Sequence, residues 1–114
     1  MAVIMTGNSG GAVSFAHDDI STSSDVDYFM AVSTAPCGTN GRLSRIRIGG
    51  TASSTGADLD LQVFTPNGTF VGGSYSGTIN ESVDVSAQQA NALVAKVYGY
   101  NGAIDSYFIE LTCT

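Results

Sequence analysis

Period-two alternation runs through most of this chain and sorts apolar from polar side chains onto opposite faces of short strands. In "RLSRIRIGG" (42–50) Ile46 and Ile48 point one way and Arg45 and Arg47 the other. "DLDLQVF" (58–64) sets Leu59, Leu61 and Val63 against Asp58, Asp60 and Gln62. "ESVDVS" (81–86) alternates Val83 and Val85 with Ser82 and Asp84. "ALVAKVYGY" (92–100) puts Leu93, Ala95 and Val97 inward and Lys96, Tyr98 and Tyr100 outward, and "DSYFIELTC" (105–113) lines up Tyr107, Ile109 and Leu111. "DVDYFMAVS" (25–33) carries Val26, Tyr28, Met30 and Val32 on one face and Phe29 on the other.

Turn chemistry punctuates these runs. "TPNGTF" places a proline and Asn-Gly between two of them, a strong hairpin signal. "NGA" separates the last two strands. Helical periodicity is nearly absent, and "SAQQANAL" is the one short stretch with helical promise. Strands spaced by about ten residues with turns between them predict a single all-β sandwich. Residues 1–13 read as a linker or N-terminal extension, and 14–114 as the folded domain.

Composition narrows the class. At 114 residues the chain is long enough for one core and not for two. A hydrophobic content of 43% against 12% charged residues describes a folded domain rather than a disordered tail. The net charge of −6, with only Arg42, Arg45, Arg47 and Lys96 basic, argues against nucleic acid and anionic membranes as partners. The opening "MAVIM" is too short for a signal peptide or a membrane span. Cys37 and Cys113 allow one disulfide and no C-x-x-C metal motif. Cys37 lies in the loop-like surroundings of Pro36, Gly38 and Asn40, which favours a bridge over two separate buried thiols. A bridge closing a loop of that length would constrain the unfolded chain by ~4 kcal/mol and imply an oxidising compartment.

Catalytic chemistry finds little support. "GNSGG" (7–11) resembles the nucleophile segment of one class of serine proteases, but a serine nucleophile needs a base and an orienting partner. The single histidine, His17, follows Ser9 closely, and almost no chain precedes them. The segment reads better as a flexible connection, and no other catalytic motif is present. The domain is expected to be a binder or stabiliser and not an enzyme.

The carboxylates are candidates for oxygen ligands. Asp25 and Asp27 share a face at the mouth of a strand, just after Asp18 and Asp19 in "HDDISTSS". Such a stretch supplies the carboxylates, hydroxyls and carbonyls that calcium takes, and it equally describes a solvated acidic strand end. Asp58 and Asp60 form a second same-face pair, which repels unless it meets water, a cation or hydrogen-bond donors. Glu81 could join them, and carboxylates accepting backbone N–H groups are the expected arrangement. Tyr98 and Tyr100, with Tyr75 in the polar "GGSYSGT", suit recognition of a flat polymer if exposed.

Taken in order, "DVDYF", "DLDLQVF", "NGTFVGGS", "ESVDV" and "AKVYGYNGAIDSYFIEL" resemble the bacterial pre-peptidase C-terminal domain. The resemblance implies a jelly-roll sandwich of about eight short antiparallel strands, appended to a secreted peptidase and often removed on maturation. It implies a non-catalytic accessory domain, expected to be a monomer, whose partner is an insoluble protein such as collagen or the catalytic domain of the parent peptidase. By the same resemblance Tyr98 and Tyr100, with Tyr75, would contact the polymer, and Asp25 and Asp27 would bind calcium, with nearby Asp19 as a further candidate ligand. The segment "TGNSGGAVSFA" lacks the acidic cluster that completes the calcium set in the collagenase members. Two other readings compete: a structural, secretion or maturation domain stabilised by calcium, and a carbohydrate-binding module.

Overall fold

The structure, a computed structural model, describes residues 2–7, 13–33 and 42–113, with side chains for 20–32 and 42–113. Among the described residues nine strands follow in order: β1 (Ala2–Gly7), β2 (Val13–Ile20), β3 (Val26–Ser33), β4 (Leu43–Gly50), β5 (Leu59–Phe64), β6 (Phe70–Ser74), β7 (Glu81–Asp84), β8 (Ala92–Gly99) and β9 (Asp105–Cys113). They form a five-stranded sheet, β1-β3-β8-β5-β6, and a four-stranded sheet, β2-β9-β4-β7. The pairings nest. β5 pairs with β6, β4 with β7, β3 with β8 and β2 with β9, all antiparallel. The chain is thus one long hairpin rolled across two sheets, which is the jelly-roll arrangement. Its tip is the Asn-Gly turn: Gly68 has φ 95°, and the Thr65 and Gly68 amides donate to Thr69 and Thr65 carbonyls.

Two features depart from the expected pattern. Residues 2–7, read as linker, form β1 and pair in parallel with β3, adding a ninth strand to the eight of the roll. The "SAQQANAL" stretch contains only a short 3-10 turn at Ser86–Gln88 before β8 begins.

Between the sheets Leu59, Leu61, Val63, Leu93, Ala95 and Val97 meet Ile46, Ile48, Val83, Tyr107, Ile109 and Leu111, all buried. These are the apolar faces that alternation assigned, and their burial is the main stabilising term of such a sandwich. The outer face of the smaller sheet is closed by charge. Arg47 lies opposite Glu110 in the β4–β9 register and holds it with two hydrogen bonds, 2.7 Å from Nε and 3.2 Å from Nη2.

β3 packs by its sparser side. Phe29 and Ala31 are the core residues, and Phe29 meets Tyr107 edge to face at 6.3 Å. Val26, Met30 and Val32 are half-buried on the opposite face, and Tyr28 is 40% exposed there. A strand apolar on both faces leaves its orientation to its neighbour. Pairing of Phe29 with Ala95 and of Ala31 with Leu93 sets it here.

Cys113 ends β9 as a buried residue, whereas Cys37 lies outside the described residues. A Cys37–Cys113 bridge predicts no reactive thiol when the unreduced chain is unfolded and titrated. Two thiols per chain would exclude it.

A carboxylate cluster beside a tyrosine-bearing sheet face

Register places one row of side chains after another on the outer face of the five-stranded sheet. Tyr28, Lys96 and Gln62 stand side by side across β3, β8 and β5, and Val26, Tyr98 and Asp60 form the adjacent row. The Gln62 amide donates to the Tyr75 hydroxyl at 3.2 Å, and the Lys96 ammonium lies 5.2 Å from the centre of the Tyr98 ring. Tyr75 and Tyr100 are 54% and 55% exposed, while Tyr98 is half-buried. β8 ends at Gly99, so Tyr100 opens a 3-10 turn rather than continuing the alternation. Tyr28 is a further exposed tyrosine on this face, hidden from sequence reasoning because it sits within the apolar run of β3.

Beside Tyr98 three carboxylates converge. Oxygens of Asp58, Asp60 and Glu81 lie within 4.8 Å of one another. The β5–β6 ladder ends at Leu61 and Ser74, one residue short of Asp60, and Glu81 begins β7 just beyond. Glu81 is well provided: Ser74 Oγ and the Ser76 amide donate to Oε1 at 2.8 and 2.9 Å, and Ser76 Oγ donates to Oε2 at 3.1 Å. Asp58 and Asp60 are not. Each has one buried carboxylate oxygen, Oδ1, with no hydrogen-bond partner. This corrects the expectation that the pair accepts backbone N–H groups, since the strand that could have supplied donors stops short.

The electrostatics follow from this crowding. Burial, then the charges of Asp58 and Glu81, push the Asp60 carboxyl up to about 6. Burial, then the negative charge on Asp60, likewise raise the Tyr98 phenol above its ordinary value. Among the described residues both ion pairs end on Glu110, on the other sheet.

The carboxylates at the β2–β3 junction are arranged differently. Asp25 accepts from the Ser21 amide at 3.0 Å and the Ser21 hydroxyl at 3.2 Å. The amide bond is the chief reason its carboxyl titrates below the ordinary range. Asp27 is buried and accepts from the Tyr107 hydroxyl at 2.6 Å. Asp19, expected to join them, has its side chain outside the described residues. Of the described acidic side chains, it is Asp58, Asp60 and Glu81 that gather closely enough to share an ion.

Comparison with solved structures bears on architecture. The crystal structure of the pre-peptidase C-terminal domain of collagenase from Bacillus anthracis superposes with a TM-score of 0.58, covering 98% of this chain and 93% of that one. The fold is that of a pre-peptidase C-terminal domain. Identity to that domain is 11%, so the likeness lies in the path of the chain and not in its side chains. No protein-family model and no curated protein matches the sequence.

Proposed function

We propose that this domain is a non-catalytic accessory domain of a secreted bacterial peptidase, holding the enzyme on an insoluble protein such as collagen. The observation that carries this reading is the outer face of the larger sheet. Tyr28, Tyr75 and Tyr100 are exposed there and beside it, next to Gln62 and the half-buried Tyr98. Tyrosines offer broad apolar contact with a hydroxyl at little entropic cost, as a repetitive polymer surface requires. The pre-peptidase C-terminal fold supports attachment to a peptidase, since the matching domain comes from a collagenase. Secretion accords with the proposed Cys37–Cys113 bridge.

Sedimentation with insoluble collagen tests the proposal. The wild-type chain should co-sediment, and Tyr75→Ala together with Tyr100→Ala should abolish this while changing stability by no more than ~0.5 kcal/mol, as expected for surface positions. Tyr98→Ala belongs to the same test but should also destabilise, because its ring is half-buried against Lys96 and the carboxylates. Absence of wild-type binding would favour the second reading, a structural or maturation domain. That reading draws on the half-burial of Tyr98, which ties one tyrosine to packing rather than to recognition.

A further inference from the structure

We infer that Asp58, Asp60 and Glu81 form a divalent-cation site, suited to calcium, that ties the start of β5 to the start of β7 next to Tyr98. The inference stands apart from collagen binding and from the Asp19, Asp25 and Asp27 set. It begins with distance. Oxygens bound to one calcium at about 2.3–2.6 Å stand at most about 5 Å apart when on opposite sides of the ion. The three carboxylates meet that limit, with their oxygens within 4.8 Å.

Burial supplies the second observation. Asp60 is only 4% exposed, and its Oδ1 is buried without a partner, as is Oδ1 of Asp58. A buried carboxylate oxygen without a donor is costly, and a cation is a partner that can satisfy several such oxygens together. Among the described residues no basic side chain does so. Arg45 and Arg47 are engaged with Glu110, Lys96 lies over the Tyr98 ring, and Arg42 is exposed.

The surroundings also resemble the outer shell of a metal ligand. Three donors from Ser74 and Ser76 hold the Glu81 carboxylate in one orientation, two on Oε1 and one on Oε2, which leaves a lone pair of Oε2 open to an ion. The gathered donors are all hard oxygens, with no imidazole or thiolate, which favours calcium over zinc. Asp58 is half-exposed, so water can complete the coordination. The ion would also brace the tyrosine face. The Asp58 carbonyl accepts from the Tyr100 amide at 3.0 Å, and Asp60 lies opposite Tyr98 in the strand register.

The competing account is a proton shared between Asp58 and Asp60, which neutralises one charge of three without any ion. Terbium, a luminescent stand-in for calcium, separates the two when its emission is excited through tyrosine. The wild-type chain should give tyrosine-sensitised emission that calcium competes away, and its melting temperature should rise in calcium relative to chelator. Asp60→Asn should weaken terbium binding by at least about tenfold, the least expected when a metal site loses a supporting group. The same variant should melt higher than wild type in chelator, because a repulsive charge is gone, and gain little from calcium. Should it not fold, Asp58→Asn at the half-exposed position is read in the same way. Asp25→Asn should retain full emission. No wild-type emission and no calcium-dependent melting would overturn the inference in favour of the shared proton. Emission that survives Asp60→Asn, or that Asp25→Asn removes, would overturn it by placing the ion elsewhere.

Discussion

Asp105→Ala is expected to destabilise the domain by about 3 kcal/mol at neutral pH, a large part of the ~5–15 kcal/mol that holds a domain of this size together. The carboxylate sits at the first position of β9 and gathers the loop that connects β4 to β5. It accepts from the Thr55 amide at 2.8 Å, the Thr55 hydroxyl at 3.1 Å, the Ala57 amide at 2.8 Å and the Ser106 amide at 2.9 Å. Alanine would remove the acceptor and strand three backbone donors at once. Leaving part-buried donors without an acceptor costs more than a hydrogen bond contributes on average. The loop leads directly into Asp58 and Leu59, so its release would loosen β5 at the point where the acidic cluster forms.

The effect should depend on pH in a defined direction. Burial alone would raise the Asp105 carboxyl, but the amides of Thr55, Ala57 and Ser106, helped by the Thr55 hydroxyl, outweigh it and lower the pKa. A carboxyl whose folded pKa is depressed contributes stability in full above its unfolded pKa, about 3.9, and loses it as pH falls through the lower folded value. Urea unfolding of wild type and Asp105→Ala should therefore differ most at neutral pH and converge in strong acid. A gap that stays constant between pH 7 and strong acid would mean that the charged form of Asp105 is not what holds the loop.

Nothing local in the sequence marks Asp105, and the contrast with the core strands shows why. Leu59, Leu61 and Val63 announce their burial through alternation with Asp58, Asp60 and Gln62, because a strand with one apolar face has one way to pack. The sandwich, the Asn-Gly hairpin tip and the inward sets of β4, β5, β7, β8 and β9 were legible for that reason. β3 was not, since Val26, Tyr28, Met30 and Val32 oppose Phe29 and only the pairing with β8 selects Phe29 for the core. β1 was missed because a short apolar run followed by Gly, Asn and Ser has the composition of a linker. Its parallel pairing with β3 is a contact that no local pattern encodes.

The acidic site divides along the same line. The Asp58–Asp60 pair is visible as two carboxylates on one strand face, and their mutual repulsion demands a partner. What the chain cannot display locally is that β6 ends before reaching them and that Glu81 arrives from the other sheet. Asp25 and Asp27 show the converse. They carry the same spacing, yet Ser21 and Tyr107 each take an oxygen of one of them, so identical spacing leads to different chemistry. Donor supply separates the two pairs. The Asp25–Asp27 pair is met by protein donors, and the Asp58–Asp60 pair is left with two oxygens unmet.

Gly99→Ala is the other substitution expected to have a large effect, and it acts on the segment between two of the proposed binding tyrosines. Gly99 ends β8 with φ −90° and ψ 131°, extended backbone that any residue adopts. Space, not conformation, demands glycine here. A Cβ built at this position would lie 1.7 Å from the Ala103 carbonyl oxygen and 2.9 Å from the Ala103 nitrogen, because the Tyr100–Gly102 turn folds back against the strand end. Backbone atoms cannot swing aside as a flexible side chain can, so the turn itself must move. Overpacking of this kind typically costs ~1–3 kcal/mol, and a clash with main chain belongs at or above the top of that range. The displaced turn would carry Tyr100 away from Tyr98 and strain the bond from the Tyr100 amide to the Asp58 carbonyl. Gly77→Ala provides the comparison, since nothing lies within 4 Å of the Cβ it would add. It should leave stability within ~0.5 kcal/mol of wild type. Thermal melts of both variants decide the matter. A Gly99→Ala protein that melts with the wild type would show that the turn yields freely, and the tyrosines would then be held by their strand alone.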